Sequence, residues 1–348
     1  MKIKINKNLT IKENSSPLII AEVSGNHLGK KSLFLKHIKS AAKNGADIVK
    51  IQTYEPEDIT VKSKSKNFKI NSGTWKDKYL WDLYKKAHTP FSWHHDAFKL
   101  AKKLNITLFS SPFSKRAVDL LEKLRVPIYK IASFEITDLE LIDYISKKRK
   151  PIILSTGMAT IDEIKRAIKV IEKYHKKIII LYCVSGYPTK ESEANIDTIR
   201  KFKYIFKNYI IGISDHTNNI YSALTATALG ASVIEKHFIL NKKLNSLDKN
   251  FSIDTKQLKK LKEITSKIYS SLGKPIIGPK KNEISSLKLR RSVFAIKDIN
   301  KGEKLTKYNI RNFRPKIGIN SNKYFKILGK KAKKNIKKFS PIFSKEIK

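Results

Sequence analysis

Two histidines, His216 and His237, each stand at or near the end of a short apolar run near the C-terminal side of the first 240 residues. If those runs are adjacent strands, about 4.8 Å apart, both imidazoles can reach one divalent cation at nitrogen–metal distances of about 2.1 Å. Mn²⁺, Fe²⁺ or Zn²⁺ would each suit two nitrogens completed by water and oxygen ligands. A hydrogen-bonded structural pair is the alternative. The ends of these and the other apolar runs carry Lys50, Ser111, Lys130, Ser133, Ser155, Ser185 and Ser214, with Glu22, Glu135 and Glu235 among them. Lysines and hydroxyls gathered in one mouth suit a small phosphorylated carboxylate, which needs point charges and hydrogen-bond donors. A buried lysine on a strand is also how a Schiff-base aldolase works, and periodicity does not separate the two. Any one of these residues has an ordinary explanation, since a serine caps a helix and a lysine snorkels. A polar residue at every run end does not.

These positions converge only if the runs are strands of one closed parallel sheet. Runs rich in Ile and Val recur at Leu18–Ser24, Asp47–Tyr54, Thr107–Pro112, Ile128–Phe134, Pro151–Thr156, Ile178–Ser185, Ile210–Ser214 and Ser232–Phe238. They are apolar on both parities, as strands covered on both faces must be. Between them Ser32–Lys43, Ala117–Leu124, Ile161–Tyr174 and Ala223–Leu229 carry apolar residues three and four apart. Asp138 and Thr160 are the expected N-caps, Gly45 and Gly230 the expected stops. The pattern predicts an α/β fold, a (β/α)₈ TIM barrel, whose chemistry sits at the C-terminal ends of its strands. An open doubly wound sheet would carry a glycine-rich phosphate loop after its first strand, and the sequence has none.

The stretch from Tyr54 to Ala97 is too long for an ordinary βα loop and holds all three tryptophans, Trp75, Trp81 and Trp93. It reads either as a substrate lid or as an extra helix packing its aromatics on the barrel, and packing is the expectation for each tryptophan taken singly. A final helix, Leu258–Leu272, closes a first domain of residues 1–273. Residues 274–289, with Pro275, Gly278 and Pro279, read as a linker. Residues 290–348 change to short β-like pieces, Ser292–Ile296 and Asn309–Arg314, with turns at Asn300-Lys301-Gly302 and Ser340-Pro341. A domain that small leans on a partner.

Composition removes other classes. The 348 residues include 73 Lys+Arg against 30 Asp+Glu, a formal charge of +43. Such a charge raises a basic nucleic-acid-binding protein on an inactive barrel as a rival. The lysines are spread along the chain rather than gathered in one stripe, so the expectation is no nucleic acid. One cysteine, Cys183, excludes an intramolecular disulfide and reads as a small buried hydrophobe. Met1–Ser16 lacks the apolar core of a signal peptide and no apolar stretch is long enough to span a bilayer, so the expectation is a cytoplasmic protein without a membrane partner.

The run ends also form recognisable motifs. Ile20-Ala21-Glu22-Val23-Ser24-Gly25-Asn26-His27, Lys50-Ile51-Gln52-Thr53, Ser111-Pro112-Phe113, Lys130-Ile131-Ala132-Ser133, Ser155-Thr156-Gly157-Met158, Gly212-Ile213-Ser214-Asp215-His216 and Glu235-Lys236-His237-Phe238 together resemble the sialic acid synthase family. Arg291-Ser292, Lys301-Gly302-Glu303 and Arg314-Pro315 resemble the small, mostly-β SAF (antifreeze-like, β-clip) domain that follows the barrel there. Gly73-Thr74-Trp75, Thr89-Pro90-Phe91-Ser92-Trp93-His94 and Asp248-Lys249-Asn250-Phe251 resemble the family's pseudaminic acid-forming branch. Ser24-Gly25-Asn26 departs from the commoner Ser-Ala-Asn, and Ser185-Gly186 from Ser-Thr. The resemblance implies a condensation of phosphoenolpyruvate with a diacetamido-trideoxyhexose. Lys50, Ser111, Lys130, Ser133, Ser155, Ser185 and Ser214 would bind phosphoenolpyruvate, and a divalent metal, expected to be Mn²⁺, would sit on His216 and His237. It further implies an acid–base role for Glu22, an orienting role for Glu135, and sugar contacts from Asp248. In the implied homodimer the SAF domain covers the partner's active site, which brings Arg314 to the other subunit's sugar.

Overall fold

The structure is a computed structural model that describes residues 1–348. The chain separates into two compact units, Met1–Gly273 and Lys274–Lys348. In the first, β3 (Leu18–Glu22), β4 (Ile48–Thr53), β5 (Thr107–Pro112), β6 (Tyr129–Ile131), β7 (Ile152–Ser155), β8 (Ile178–Cys183), β9 (Ile210–Asp215) and β10 (Val233–His237) close into a barrel in chain order, β10 pairing with β3. All eight pairings are parallel. The helices between them are α1 (Lys31–Lys43), α2 (Leu80–Ala87), α3 (Phe91–Lys103), α4 (Lys115–Lys123), α5 (Leu139–Ser146), α6 (Ile161–Glu172), α7 (Thr198–Ile205) and α8 (Tyr221–Ala228), and α9 (Thr255–Leu272) follows the last strand. Before the barrel, β1 (Lys2–Lys4) and β2 (Thr10–Lys12) form a hairpin that buries Ile3 and Ile11, an element the sequence shows only as alternating charged and apolar residues.

Local chemistry explains the element ends. Asp138 caps α5 by accepting from the Leu141 amide at 3.0 Å, and Thr160 opens α6 in a reciprocal box with Glu163. Gly45 and Gly230 follow the ends of α1 and α8 in the left-handed region, at φ +101° and +86°. β8 is buried along its whole length, as a strand between barrel interior and helices must be. Each fully buried isoleucine of this kind contributes about 1.5–3 kcal/mol over an exposed one. Gly212 lets β9 approach β10: a Cβ there would stand 2.4 Å from the Val233 carbonyl oxygen.

At two strand ends the remainder of the apolar run folds as a helical turn. Ser24–His27 and Ser133–Glu135 are turns of 3₁₀ helix rather than strand, with Ser24 at φ +47°. In the second unit β11 (Ser292–Ala295) and β12 (Ile310–Phe313) pair antiparallel around a core of Val293, Ala295, Ile299, Leu305, Ile310, Ile336 and Ile342, with one short helix, α10 (Tyr324–Ile327). Residues 281–283 and 285–289 form exposed 3₁₀ turns ahead of it.

Candidate active site

Register brings the charged residues together. In the barrel Glu22 stands opposite Lys50 on β4 and His237 on β10, and Glu235 stands opposite Ser214 on β9. Lys50 Nζ lies 2.9 Å from Glu22 Oε2 and 3.1 Å from Glu235 Oε1, and 3.3 Å from the Ser111 hydroxyl. Lys130 Nζ is 3.8 Å from the same Glu235 oxygen and donates to the Ile131 carbonyl at 3.2 Å. Ser214 Oγ donates to Glu235 Oε1 at 3.3 Å. All of these side chains are buried.

Two lysines therefore share two carboxylates, and the carboxylates differ. Burial raises both, but Lys130 and Lys50 more than offset it at Glu235, which is held below the usual carboxylate range. At Glu22 burial wins over Lys50, and neither of its oxygens receives a well-aligned hydrogen bond, so its carboxyl is pushed up. Lys50 is buried too, yet the carboxylates on either side hold its ammonium above the ordinary value. Burial takes Lys130 down to about 8 despite Glu235. Glu22 is therefore paired with Lys50, and the same geometry leaves a protonatable carboxyl beside a cation.

The hydroxyls continue this floor around the mouth. Ser133 Oγ accepts from the Gly157 amide at 3.0 Å, and a Cβ at Gly157 would fall 2.8 Å from that hydroxyl and 2.1 Å from that of Ser185. Only glycine fits between the two serines. Ser155 Oγ is buried and has no protein partner, a donor held for something outside the chain. Glu135 Oε2 is likewise buried and unpartnered, and burial raises its carboxyl to about 7 against the pull of Lys130.

His216 and His237 lie side by side, ring centroids 5.3 Å apart. His216 Nδ1–H donates to the Val184 carbonyl at 2.9 Å, so Nε2 is the ring nitrogen left to bind a cation when the ring is neutral. His237 Nδ1 is buried without a hydrogen-bond partner, 3.8 Å from Asp248 Oδ2. Burial, then His216 and the lysines, push His237 well below its ordinary range. No third His, Cys, Asp or Glu joins them in a metal-binding group. Two imidazoles with an orphaned ring nitrogen fit a divalent cation whose remaining ligands are oxygens from water or substrate.

Asp248 is buried and accepts from the Gly25 amide at 3.1 Å; burial pushes its carboxyl up. Arg314 lies in the second unit, exposed, on a cavity of about 550 Å³ that it lines with Arg291, Lys307, Arg311 and Tyr324.

The insertion contributes to the mouth through Trp75. Its ring packs 5.4 Å from Tyr187 and 5.9 Å from Phe251, and its Nε1 donates to the Leu247 carbonyl at 3.3 Å. Tyr187 in turn stacks on His216 at 4.5 Å and Phe251 on His237 at 4.8 Å. Trp93, by contrast, packs on His27 and Phe34 as a structural aromatic. The sequence reading places Glu235 at a run end without giving it a role, and it assigns neither Tyr187 nor Phe251 to the site. Glu235 carries the signal in its spacing, two residues before His237 and so on the same strand face. Tyr187 and Phe251 come from loops and carry no such signal. Cys183, expected to be only a small hydrophobe, is buried 3.7 Å from His216 Nδ1; burial pushes its thiol up, but His216 outweighs this and draws it down to about 7.

Residues 37–276 match the NeuB family and residues 290–347 the SAF domain. The chain belongs to the NeuB family. Among its NeuB-type relatives, pseudaminic acid synthase of Helicobacter pylori is 44% identical, covering 95% of this chain and 98% of the relative. N,N'-diacetyllegionaminic acid synthase of Campylobacter jejuni is 39% identical over 92% of this chain and 97% of its own. The crystal structure of N-acetylneuraminic acid synthetase from Leptospira borgpetersenii, in complex with citrate, superposes with a TM-score of 0.74 at 31% identity, over 82% of this chain and 95% of that one. The barrel-plus-SAF architecture and the family read from the motifs are thus borne out.

The Glu135 environment gives a first testable consequence. A carboxyl raised from 4.5 to about 7 on folding keeps a proton that the unfolded chain has already lost in that window. Its contribution is present below about pH 4.5 and lost as pH rises through about 7, by about 3 kcal/mol in total. Glu135→Gln, permanently neutral, is expected to lack this loss. The difference in melting temperature between variant and parent should therefore move in favour of the variant from pH 5 to pH 8, and a pH-independent difference would refute the assignment.

Proposed function

We propose that this NeuB-family protein condenses phosphoenolpyruvate with 2,4-diacetamido-2,4,6-trideoxy-altrose to give pseudaminic acid and phosphate. The observation that carries the reading is the meeting, in one barrel mouth, of a two-lysine anion floor and a paired-imidazole rim. The pseudaminic branch is favoured by the relatives named above and by the Trp75-bearing insertion.

Lys50 and Lys130 would hold the anionic ends of phosphoenolpyruvate, with Ser111, Ser133, Ser155, Ser185 and Ser214 supplying hydroxyl donors around it. Fixing both ends presents one face of its C3 to the sugar. His216 and His237 would hold a divalent ion, Mn²⁺ in this reading, whose chemistry there is polarisation of the open-chain sugar aldehyde. The bond that forms joins phosphoenolpyruvate C3 to sugar C1, and the former aldehyde oxygen takes a proton. Water then adds at C2, and breaking the C2–oxygen bond releases phosphate. Glu135, with a carboxyl near pH 7, suits the proton movements. Glu22 reaches the floor only through Lys50, so its acid–base role would be to hold a proton at that pair. Asp248 would bind sugar hydroxyls.

Arg314 completes the reading as a residue given to the partner subunit's sugar in a homodimer. Truncation after Ser271 is then expected to abolish turnover while the barrel still folds, and Arg314→Ala to raise the sugar KM more than it lowers kcat. A truncated protein with parental activity would refute it.

Incubation with phosphoenolpyruvate, Mn²⁺ and the altrose-configured sugar, followed by mass detection of the nine-carbon acid, tests the whole reading. A panel including N-acetylmannosamine and the legionaminate precursor, scored by phosphate release, separates it from the neighbouring synthases. Preferential turnover of either alternative sugar would reassign the branch.

A further inference from the structure

Asp215 and Lys236 belong to the same motifs as the two histidines but take no part in the chemistry above. They are direct register partners on β9 and β10. Each is the chain neighbour of a histidine, and on β10 strand alternation puts Lys236 on the opposite face from His237. Both are buried. Lys236 Nζ donates to Asp215 Oδ2 at 2.9 Å, to the Thr217 carbonyl at 2.5 Å and to Thr217 Oγ1 at 3.1 Å. The Thr217 amide donates to Asp215 Oδ1 at 2.8 Å.

These contacts form a closed ring. The residue before His216 and the residue after it are both tied to the ammonium of the residue before His237. The β9–β10 ladder and the Phe251 side chain, which packs on both imidazoles, also bridge the pair, but only the Lys236 ammonium ties both flanks of His216 to the neighbour of His237 through side-chain contacts. The Val184 carbonyl sets the ring rotation of His216, and the Ile253 amide bonds to the His237 carbonyl, but neither links the two histidines to each other. A buried ion pair is a weak source of net stability and can instead serve conformational specificity.

We propose that Lys236 and Asp215 are positioning residues that fix the separation of the His216 and His237 imidazoles and so set the affinity of the pair for a divalent cation. This rests on the reading that the two histidines hold that cation. Neither positioning residue touches the metal. Lys236 has three acceptors and spans both flanks of His216, so its loss frees the turn. Asp215→Asn keeps one oxygen for the Thr217 amide but loses the charge and the acceptor that faces Lys236. Supporting groups behind metal ligands typically change affinity by about 10–100-fold.

The test is Mn²⁺ binding to the full-length protein, followed by the electron paramagnetic resonance signal of free Mn²⁺, with circular dichroism confirming the fold. Lys236→Met is expected to weaken binding about 30–100-fold, and Asp215→Asn about 10-fold. Lys236→Met leaves a buried carboxylate unpaired and can fail to fold. The double variant Asp215→Asn/Lys236→Met removes both charges and decides in that case, with binding expected at the Lys236→Met level. Folded variants that bind Mn²⁺ as the parent does would overturn the proposal, whatever their melting temperatures. His216→Ala separates the two readings: if it too binds like the parent, the histidine pair is not the cation site; if it alone loses binding, the site stands and the positioning role falls.

Discussion

Replacing His237 by alanine is expected to cut turnover by roughly a thousandfold or more while leaving the protein folded. The fold should survive because the side chain gives the barrel little. Its Nδ1 is buried without a partner, so alanine removes an unsatisfied polar atom rather than a hydrogen bond. What is lost is edge-to-face packing on Phe251 at 4.8 Å and the neighbouring His216 ring, each worth about 0.5–1.5 kcal/mol. Activity has no such cushion, since on the proposed reading the divalent cation needs both imidazoles. EDTA should reproduce the loss in the parent protein, and added Mn²⁺ should restore it there but not in the variant. The Schiff-base alternative makes the opposite forecast. A lysine brought down to about 8 is a competent imine former, so borohydride would trap substrate on Lys130, and neither EDTA nor the alanine variant would matter. Steady-state assays of the variant, with and without chelator, decide between them.

How much of this was legible before the fold was seen depends on where each residue sits. Lys50, Lys130 and His237 lie on strands, where period-two alternation and the switch from apolar to polar residues mark a strand's end, and the sequence places them correctly. Glu235 is equally legible by that rule, but its place between both lysines depends on the register of neighbouring strands, which the sequence does not spell out. Ser24 and Glu135 lie in 3₁₀ turns, whose geometry depends on tertiary contacts and leaves no periodic trace. The aromatic rim is further from view. Trp75, Tyr187 and Phe251 come from loops far apart in the chain and meet only through closure of the barrel. The N-terminal hairpin is a different failure. Three-residue strands carry too few alternations to tell from a charged tail, and only the burial of Ile3 and Ile11 reveals them.

Glu235→Gln is expected to have the second large effect, on phosphoenolpyruvate rather than on the sugar. Glu235 is the one carboxylate within 4.0 Å of both Lys50 and Lys130. Without its charge Lys50 retains Glu22, whose own carboxyl ionises more readily once the neighbouring negative charge is gone. Lys130 retains no carboxylate partner. Its ammonium is at about 8 with Glu235 present, burial pulling it down and Glu235 holding it up. Removing that support moves it lower still, so at pH 8 a lysine that must be charged to bind an anion is mostly neutral. The sign follows: the cation is present below its pKa and lost as pH rises through it. In the parent, kcat/KM for phosphoenolpyruvate should fall above about pH 8. In Glu235→Gln that limb should shift to lower pH, with a loss of more than about tenfold at pH 8 and substantial recovery near pH 6. Breaking a buried ion pair on one side costs about 3–5 kcal/mol, so a lower melting temperature accompanies the change. That drop alone says nothing about binding, which is why the pH profile is the measurement. An unshifted alkaline limb, in a variant that still binds Mn²⁺ like the parent, would mean that Lys130 is not the group gripping the substrate. Lys50, held above its ordinary value by the carboxylates on either side, would then be the anchor.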